Sequence, residues 1–154
     1  MQHSLSQNTK NKMPDLSFHI EATLPVYKLG TPISLGVTLT NHSSELLEIL
    51  SWGTPLEQAF KSDMFDVSKD GTTTPYIGRM VKRATPKDSD YLSIAPAKTL
   101  AATIDLSKGY AIQTPGTYTI TMKPRFISTH SEVKFAGSNL LKAESNTIVI
   151  EITE

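Results

Sequence analysis

The chain contains no cysteine. Disulfides, thiolate metal sites and a cysteine nucleophile are therefore excluded. Net charge is also missing, because 15 Lys and Arg offset 15 Asp and Glu. General nucleic-acid binding, or attachment to an anionic membrane surface, needs a basic excess, so neither partner is expected. No run approaches the roughly 20 apolar residues that a membrane helix requires. The segment from Met1 to Pro14 is polar and lacks an apolar core, so it does not read as a signal peptide. It reads instead as a flexible N-terminal tail over residues 1–14, rich in Ser, Asn, Gln and Lys.

Catalytic motifs are equally scarce. The histidines are His3, His19, His42 and His130, and no His-Glu-x-x-His run exists. His19 alternates with Phe18 and Ile20 and reads as a solvated strand residue; His42 reads as a turn residue. There is no Gly-x-Ser-x-Gly elbow, Walker loop or dinucleotide fingerprint. Asp66 and Asp70-Gly71 echo calcium-loop spacing without the bidentate glutamate, and a hairpin turn explains them better. No catalytic residue, metal site or cofactor is expected, and the chain reads as non-enzymatic. Asn41-His42-Ser43 matches a glycosylation sequon, a pattern too short to carry weight alone.

What is present is alternation. Leu16, Phe18, Ile20, Ala22 and Leu24 occupy every second position, as do Ile33, Leu35, Val37 and Leu39 after the Gly30-Thr31-Pro32 break. Period two is the mark of half-buried strands. Asn41 to Ser44 forms a turn, and Glu45 to Trp52 is a more apolar strand, expected to be central. Phe65 and Val67 begin a strand that ends at the hairpin signal Lys69-Asp70-Gly71, with a return strand from Thr73 to Ile77. Further strands are expected at Tyr91–Ala95, Leu100–Leu106, Tyr118–Met122 and Ile148–Ile152, and single helical turns at Leu56–Lys61 and Asn139–Glu144. About eight short strands separated by Gly, Pro, Asn and Asp turns define an all-β, immunoglobulin-like antiparallel sandwich. The 154 residues and 38% hydrophobic content fit one such domain over residues 15–154, expected to be a monomer. Between Lys123 and Glu144 the pattern weakens; that region reads as an extra hairpin or as a loop covering an edge.

A sandwich has no deep pocket of its own, so function is expected on end loops or an exposed edge strand. Trp52, at the end of the third strand, reads as a core tryptophan. The stretch Pro75 to Pro86 concentrates Arg79, Lys82 and Arg83 between strands, with Tyr76 before it and Tyr91 after it. Such a stretch is either a solvated connection or a basic loop that docks into a partner's cleft. Tyr76, Arg79, Lys82, Arg83 and Tyr91 are the candidate partner-binding residues.

The ordered blocks Leu39-Thr40-Asn41-His42-Ser43, Trp52-Gly53-Thr54-Pro55-Leu56, Pro75-Tyr76-Ile77-Gly78-Arg79, Lys82-Arg83, Asp90-Tyr91 and Ile94-Ala95-Pro96 resemble the N-terminal domain of bacterial deuterolysin-like metallopeptidases. These are the aspzincins, which include lysine-specific endopeptidases. Asp105-Leu106-Ser107, Tyr110, Pro115-Gly116-Thr117-Tyr118 and Ser145-Asn146-Thr147 continue the resemblance over roughly residues 16 to 152. The resemblance implies a propeptide-like sandwich that keeps a zinc endopeptidase latent or assists its folding, in a secreted or periplasmic setting. The family's catalytic histidines and glutamate have no counterpart in this sequence. On that basis the chain is expected to inhibit or chaperone a deuterolysin-like zinc endopeptidase, as a propeptide or in trans. Lys82 is the first candidate for filling an acidic pocket made for a substrate lysine. The alternative is a general interaction or adhesion sandwich with no peptidase partner.

Overall fold

A computed structural model describes residues 14–130 and 140–154. Residues 1–13 and 131–139, including His3, Val133 and Phe135, lie outside the described residues. The protein is an all-β sandwich. Its strands are β1 Leu16–Ala22, β2 Val26–Lys28, β3 Ser34–Asn41, β4 Leu47–Leu50, β5 Phe65–Lys69, β6 Thr72–Thr73, β7 Tyr91–Ile94, β8 Thr99–Asp105, β9 Gly116–Met122, β10 Arg125–His130, β11 Leu140–Ala143 and β12 Thr147–Thr153.

The strands form three sheets, ordered β1-β3-β8, β11-β10-β4-β7 and β2-β12-β9-β5-β6. Neighbours are antiparallel except β2, which runs parallel to β12. Alternation is kept where the two sheet faces are unequal in burial: half-buried and buried residues alternate along the whole length of β3. Leu16, Phe18, Ile20, Leu35, Val37 and Leu39 from the first sheet join Val67, Ile120, Ile150 and Ile152 from the five-stranded sheet in one buried cluster. Each such aliphatic or aromatic side chain contributes roughly 1.5–3 kcal/mol on burial. Tyr118, at the start of β9, donates its hydroxyl hydrogen to the Thr114 carbonyl at 2.7 Å. A tyrosine bonding back to the chain just upstream is a recurrent corner device of immunoglobulin-like sandwiches.

Several local expectations are corrected. β1 stops at Ala22, and Leu24 is exposed. The return strand after Gly71 spans only Thr72–Thr73, because Pro75 has no N–H for a ladder; pairing resumes only as a bridge between Tyr76 and Tyr110. β8 ends at Asp105, whose carboxylate accepts from Ser107 N at 3.0 Å and starts a 3-10 turn through Leu106. That turn takes Leu106 out of its expected strand while leaving it fully buried. Leu140–Ala143, expected to be helical, is a strand paired with β10, so the weak region is a hairpin; Asn139 lies outside the described residues. A single turn does form near Leu56, over Pro55–Glu57, capped by the Thr54 hydroxyl accepting from Leu56 N at 3.2 Å. β4 is central as expected, flanked by β10 and β7.

Trp52 is the correction that matters most for function. It follows β4 in a turn, is half-buried, and is not part of the core cluster. The core is filled from the strands without it, and the positive φ of Gly53 turns the chain away just after it.

Candidate functional site

The segment from Tyr76 to Asp90 is mostly irregular, closing in a 3-10 turn over Asp88–Asp90 before β7. It is nonetheless held at successive points. Its first anchor is an aromatic cluster. The Tyr76 ring lies 5.5 Å from that of Tyr110 and 6.1 Å from that of Phe60, in tilted or edge-on contact. Such pairs add about 0.5–1.5 kcal/mol beyond area burial. Tyr110 is itself fixed: its hydroxyl donates to Asp63 Oδ1 at 2.6 Å and accepts from Phe65 N at 2.7 Å. Burial first, and the Asp63 carboxylate second, push the Tyr110 phenol far above its ordinary range. Tyr76 is raised as well, by burial and then by Asp63.

From Tyr76 the chain folds back on itself. The Tyr76 hydroxyl donates to the Arg79 carbonyl. Gly78 permits this close approach, since a Cβ there would lie 2.5 Å from the Tyr76 hydroxyl oxygen. Ile77 N donates to Gly109 O at 2.8 Å, and Val81 N donates to Lys61 O at 2.9 Å. Arg83 makes the last tie. One guanidinium nitrogen donates to Glu57 Oε2 at 2.6 Å, and its Cζ stands 4.7 Å above the Trp52 ring.

These ties divide the expected site residues. Arg79 and Lys82 are exposed and make no ion pair among the described residues. Ile77 and Met80 stand out beside them, 58% and 72% exposed. Exposed apolar side chains thus interleave with cations on one surface of the connection. Tyr76 supports this surface from below, and Arg83 points back toward Glu57 and Trp52. Tyr91 is half-buried at the start of β7, opposite Leu50. The structure thus brings Tyr76, Arg79, Lys82 and Arg83 onto one connection, with Tyr91 on the adjoining strand.

Sequence reasoning missed the residues behind the segment. Glu57 and Lys61 come from the chain after β4, and Arg125 from the start of β10. Glu57 Oε2 lies 3.7 Å from the Lys61 ammonium, and Oε1 accepts from Gly53 N at 3.0 Å. Arg125 is held below its ordinary guanidinium range by burial, with Glu57 opposing the shift. Nothing in a local window joins positions 57, 61, 83 and 125.

Among the described residues no three His, Cys, Asp or Glu side chains converge as a metal cluster would require. His19 and His42 are exposed, and His42 Nε2 lies 2.7 Å from the Ser17 hydroxyl.

Among curated proteins, an extracellular protease of Aeromonas hydrophila is 30% identical over 88 residues, 57% of this chain and 25% of that protein. The match thus spans about a quarter of the protease's length. Among solved structures, a CARDB domain from Pyrococcus furiosus, crystallised with di-metal ions, covers 92% of this chain and 90% of its own at 14% identity and a TM-score of 0.41. A β-glucosidase from Listeria innocua covers 89% of this chain and 16% of its own at 13% identity and a TM-score of 0.35. The model of the immunoglobulin-like domain matches residues 20–145. With that match over most of its length, the chain belongs to the immunoglobulin-like domain family.

Proposed function

We propose that the chain is a non-catalytic binding domain that inhibits or chaperones a deuterolysin-like zinc endopeptidase, in the manner of a propeptide. The observation that carries this reading is the pinned segment 77–82. Its backbone is tied at Ile77, Arg79 and Val81, while Ile77, Arg79, Met80 and Lys82 face outward. A loop held in one conformation loses little further entropy on docking, which is how rigid inhibitors gain affinity. The ordered sequence blocks that resemble aspzincin N-terminal domains support the choice of partner. So does the 30% identity with an extracellular protease.

In this reading Lys82 enters an acidic pocket of a lysine-specific peptidase, flanked by Arg79 and Met80, while Tyr76 and Tyr91 support the segment. Removing one partner of a desolvated charge pair costs about 2–5 kcal/mol of affinity. The test is inhibition of a lysine-specific deuterolysin-type endopeptidase by wild type and by Lys82→Ala. The expected result is inhibition weakened by that amount at unchanged fold stability. Equal inhibition by the two proteins refutes the role of Lys82, and no inhibition by wild type refutes the partner.

A second reading has its own observation. Phe126 and Leu140 lie 67% and 55% exposed on the β10–β11 hairpin. Phe126 and Ser128 share a strand face, and Ser128 is opposite Leu140, so both apolar side chains are on one face. Such a pair suits a general interaction sandwich with no peptidase partner. The Phe126→Ser, Leu140→Ser variant separates the readings: peptidase inhibition stays intact in the first.

A further inference from the structure

The cations behind the segment exceed what their carboxylate can satisfy. Lys61, Arg83 and Arg125 line one cavity of about 170 Å³ with Trp52, Gly53, Ser62 and Val81. Glu57 is the acid that meets this group, and it is already engaged by Arg83 at 2.6 Å, Lys61 at 3.7 Å and Gly53 N at 3.0 Å. Two of the three cations thus pair with one carboxylate, whose side chain is only 8% exposed, and Arg125 makes no ion pair with it among the described residues. The Arg125 guanidinium covers Gly53 closely: a Cβ on Gly53 would lie 2.4 Å from Arg125 Nη2 and 3.4 Å from Ser62 Oγ. Ser62 Oγ is buried and has no hydrogen-bond partner among the described residues. A partly desolvated guanidinium and a buried hydroxyl with unmet capacity both cost free energy until an acceptor arrives.

We propose that this cavity is a carboxylate-binding site, assembled from Arg125, Arg83, Lys61 and the Ser62 hydroxyl over the Gly53 turn. A carboxylate accepts several charge-assisted hydrogen bonds at once, and guanidinium forks match its planar geometry. The ligand class follows from the surroundings, and here the inference rests on the reading of segment 77–82 as a protein-docking surface. Val81 belongs both to that segment and to the wall of the cavity. A polypeptide docked on the segment reaches the cavity, and the anion a polypeptide brings is a carboxylate. Its source is an acidic side chain or a chain terminus, which share this chemistry.

The cavity carries its own reporter. Trp52 is the single tryptophan of the chain, and Arg83 lies over its ring. The experiment titrates the full chain, at constant ionic strength, while following tryptophan fluorescence. N-acetyl-glutamate α-amide presents only a side-chain carboxylate, N-acetyl-glycine only a terminal one, and inorganic phosphate tests a different anion. A saturable change with either carboxylate supports the site, and the tighter of the two names the source. Arg125→Met is expected to weaken binding by roughly tenfold or more, equivalent to 1.4 kcal/mol. Lys61→Met, at a more exposed position, is expected to act in the same direction and decides the matter if Arg125→Met does not fold. No saturable change with either carboxylate overturns the proposal, as does a response to phosphate alone or full-strength binding by Lys61→Met. No peptidase is present in this assay, so its failure is separate from failure of the inhibitor reading.

Discussion

Two irregular connections in this molecule use their polar groups in opposite ways. The turn after β3 is held by one residue, Asn41, whose side chain faces wholly inward. Asn41 is fully buried; its amide donates to Glu45 O and Ile94 O, each at 2.8 Å, and its side-chain oxygen accepts from Ser43 N and Ser43 Oγ. The segment after Tyr76 spends only its backbone inward, through Ile77, Arg79 and Val81. Its long side chains at Ile77, Arg79, Met80 and Lys82 are left facing outward. The first arrangement closes a joint, whereas the second fixes a surface. The contrast also disposes of the sequon: a side-chain amide saturated inside the fold is not presented for glycosylation.

That contrast can be broken at four points. The largest effect is expected at the joint. Asn41→Ala strands several buried donors and acceptors and should lower unfolding free energy by about 3 kcal/mol in urea denaturation. A loss near zero would mean that the turn does not depend on its asparagine. Next is the hold on the displayed segment. Gly78→Ala places a methyl against the Tyr76 hydroxyl, and moving the ring should cost about 1–2 kcal/mol. Hydrogen exchange at the Ile77 and Val81 amides should quicken along with it, and an unchanged rate would show that Tyr76 is not the anchor.

Alkaline pH probes the same anchor more gently. Tyr110 has its phenol raised above the ordinary value of 10.0 in the folded state. Below pH 10 it is neutral in both states, and its contribution is intact. Above pH 10 the unfolded chain loses this proton while the folded chain keeps it, so stability falls as pH rises, by up to about 1.4 kcal/mol per pH unit. Tyr110→Phe should flatten that fall in urea titrations above pH 10; an equally steep fall in the variant would place the effect elsewhere. The smallest effect is expected on the display itself. Arg79→Ala and Lys82→Ala should shift stability by under about 0.5 kcal/mol in thermal denaturation. A larger loss would show that these cations serve the fold.

Strands were legible where burial differs between two faces over several residues, as in β1, β3, β8, β9 and β12. β2 was not, because three residues are too few to display a period. The β10–β11 hairpin was obscured by exposed apolar residues such as Phe126 and Leu140, which spoil the contrast that alternation depends on. Trp52 misled because tryptophan composition favours the core, whereas its position after β4 places it at a turn. Tyr76, Arg79, Lys82 and Arg83 were legible as a cluster because they are close in sequence. The cavity was not legible, because Lys61, Arg83 and Arg125 meet only through tertiary folding.

The parallel pairing of β2 with β12 has a mechanical consequence. β2 lies beside β12 through Val26, Tyr27 and Lys28 opposite Glu151, Ile152 and Thr153, and Leu29 N adds a bond to Thr153 O at 2.7 Å. Phe18 forms a further parallel bridge with Ser145. Tension applied between the first and last strands pulls these parallel partners past each other along their length. Their hydrogen bonds are then loaded together, in shear, instead of opening one after another like a zip. A pull that separates β2 from β12 along their length therefore meets several backbone hydrogen bonds at once.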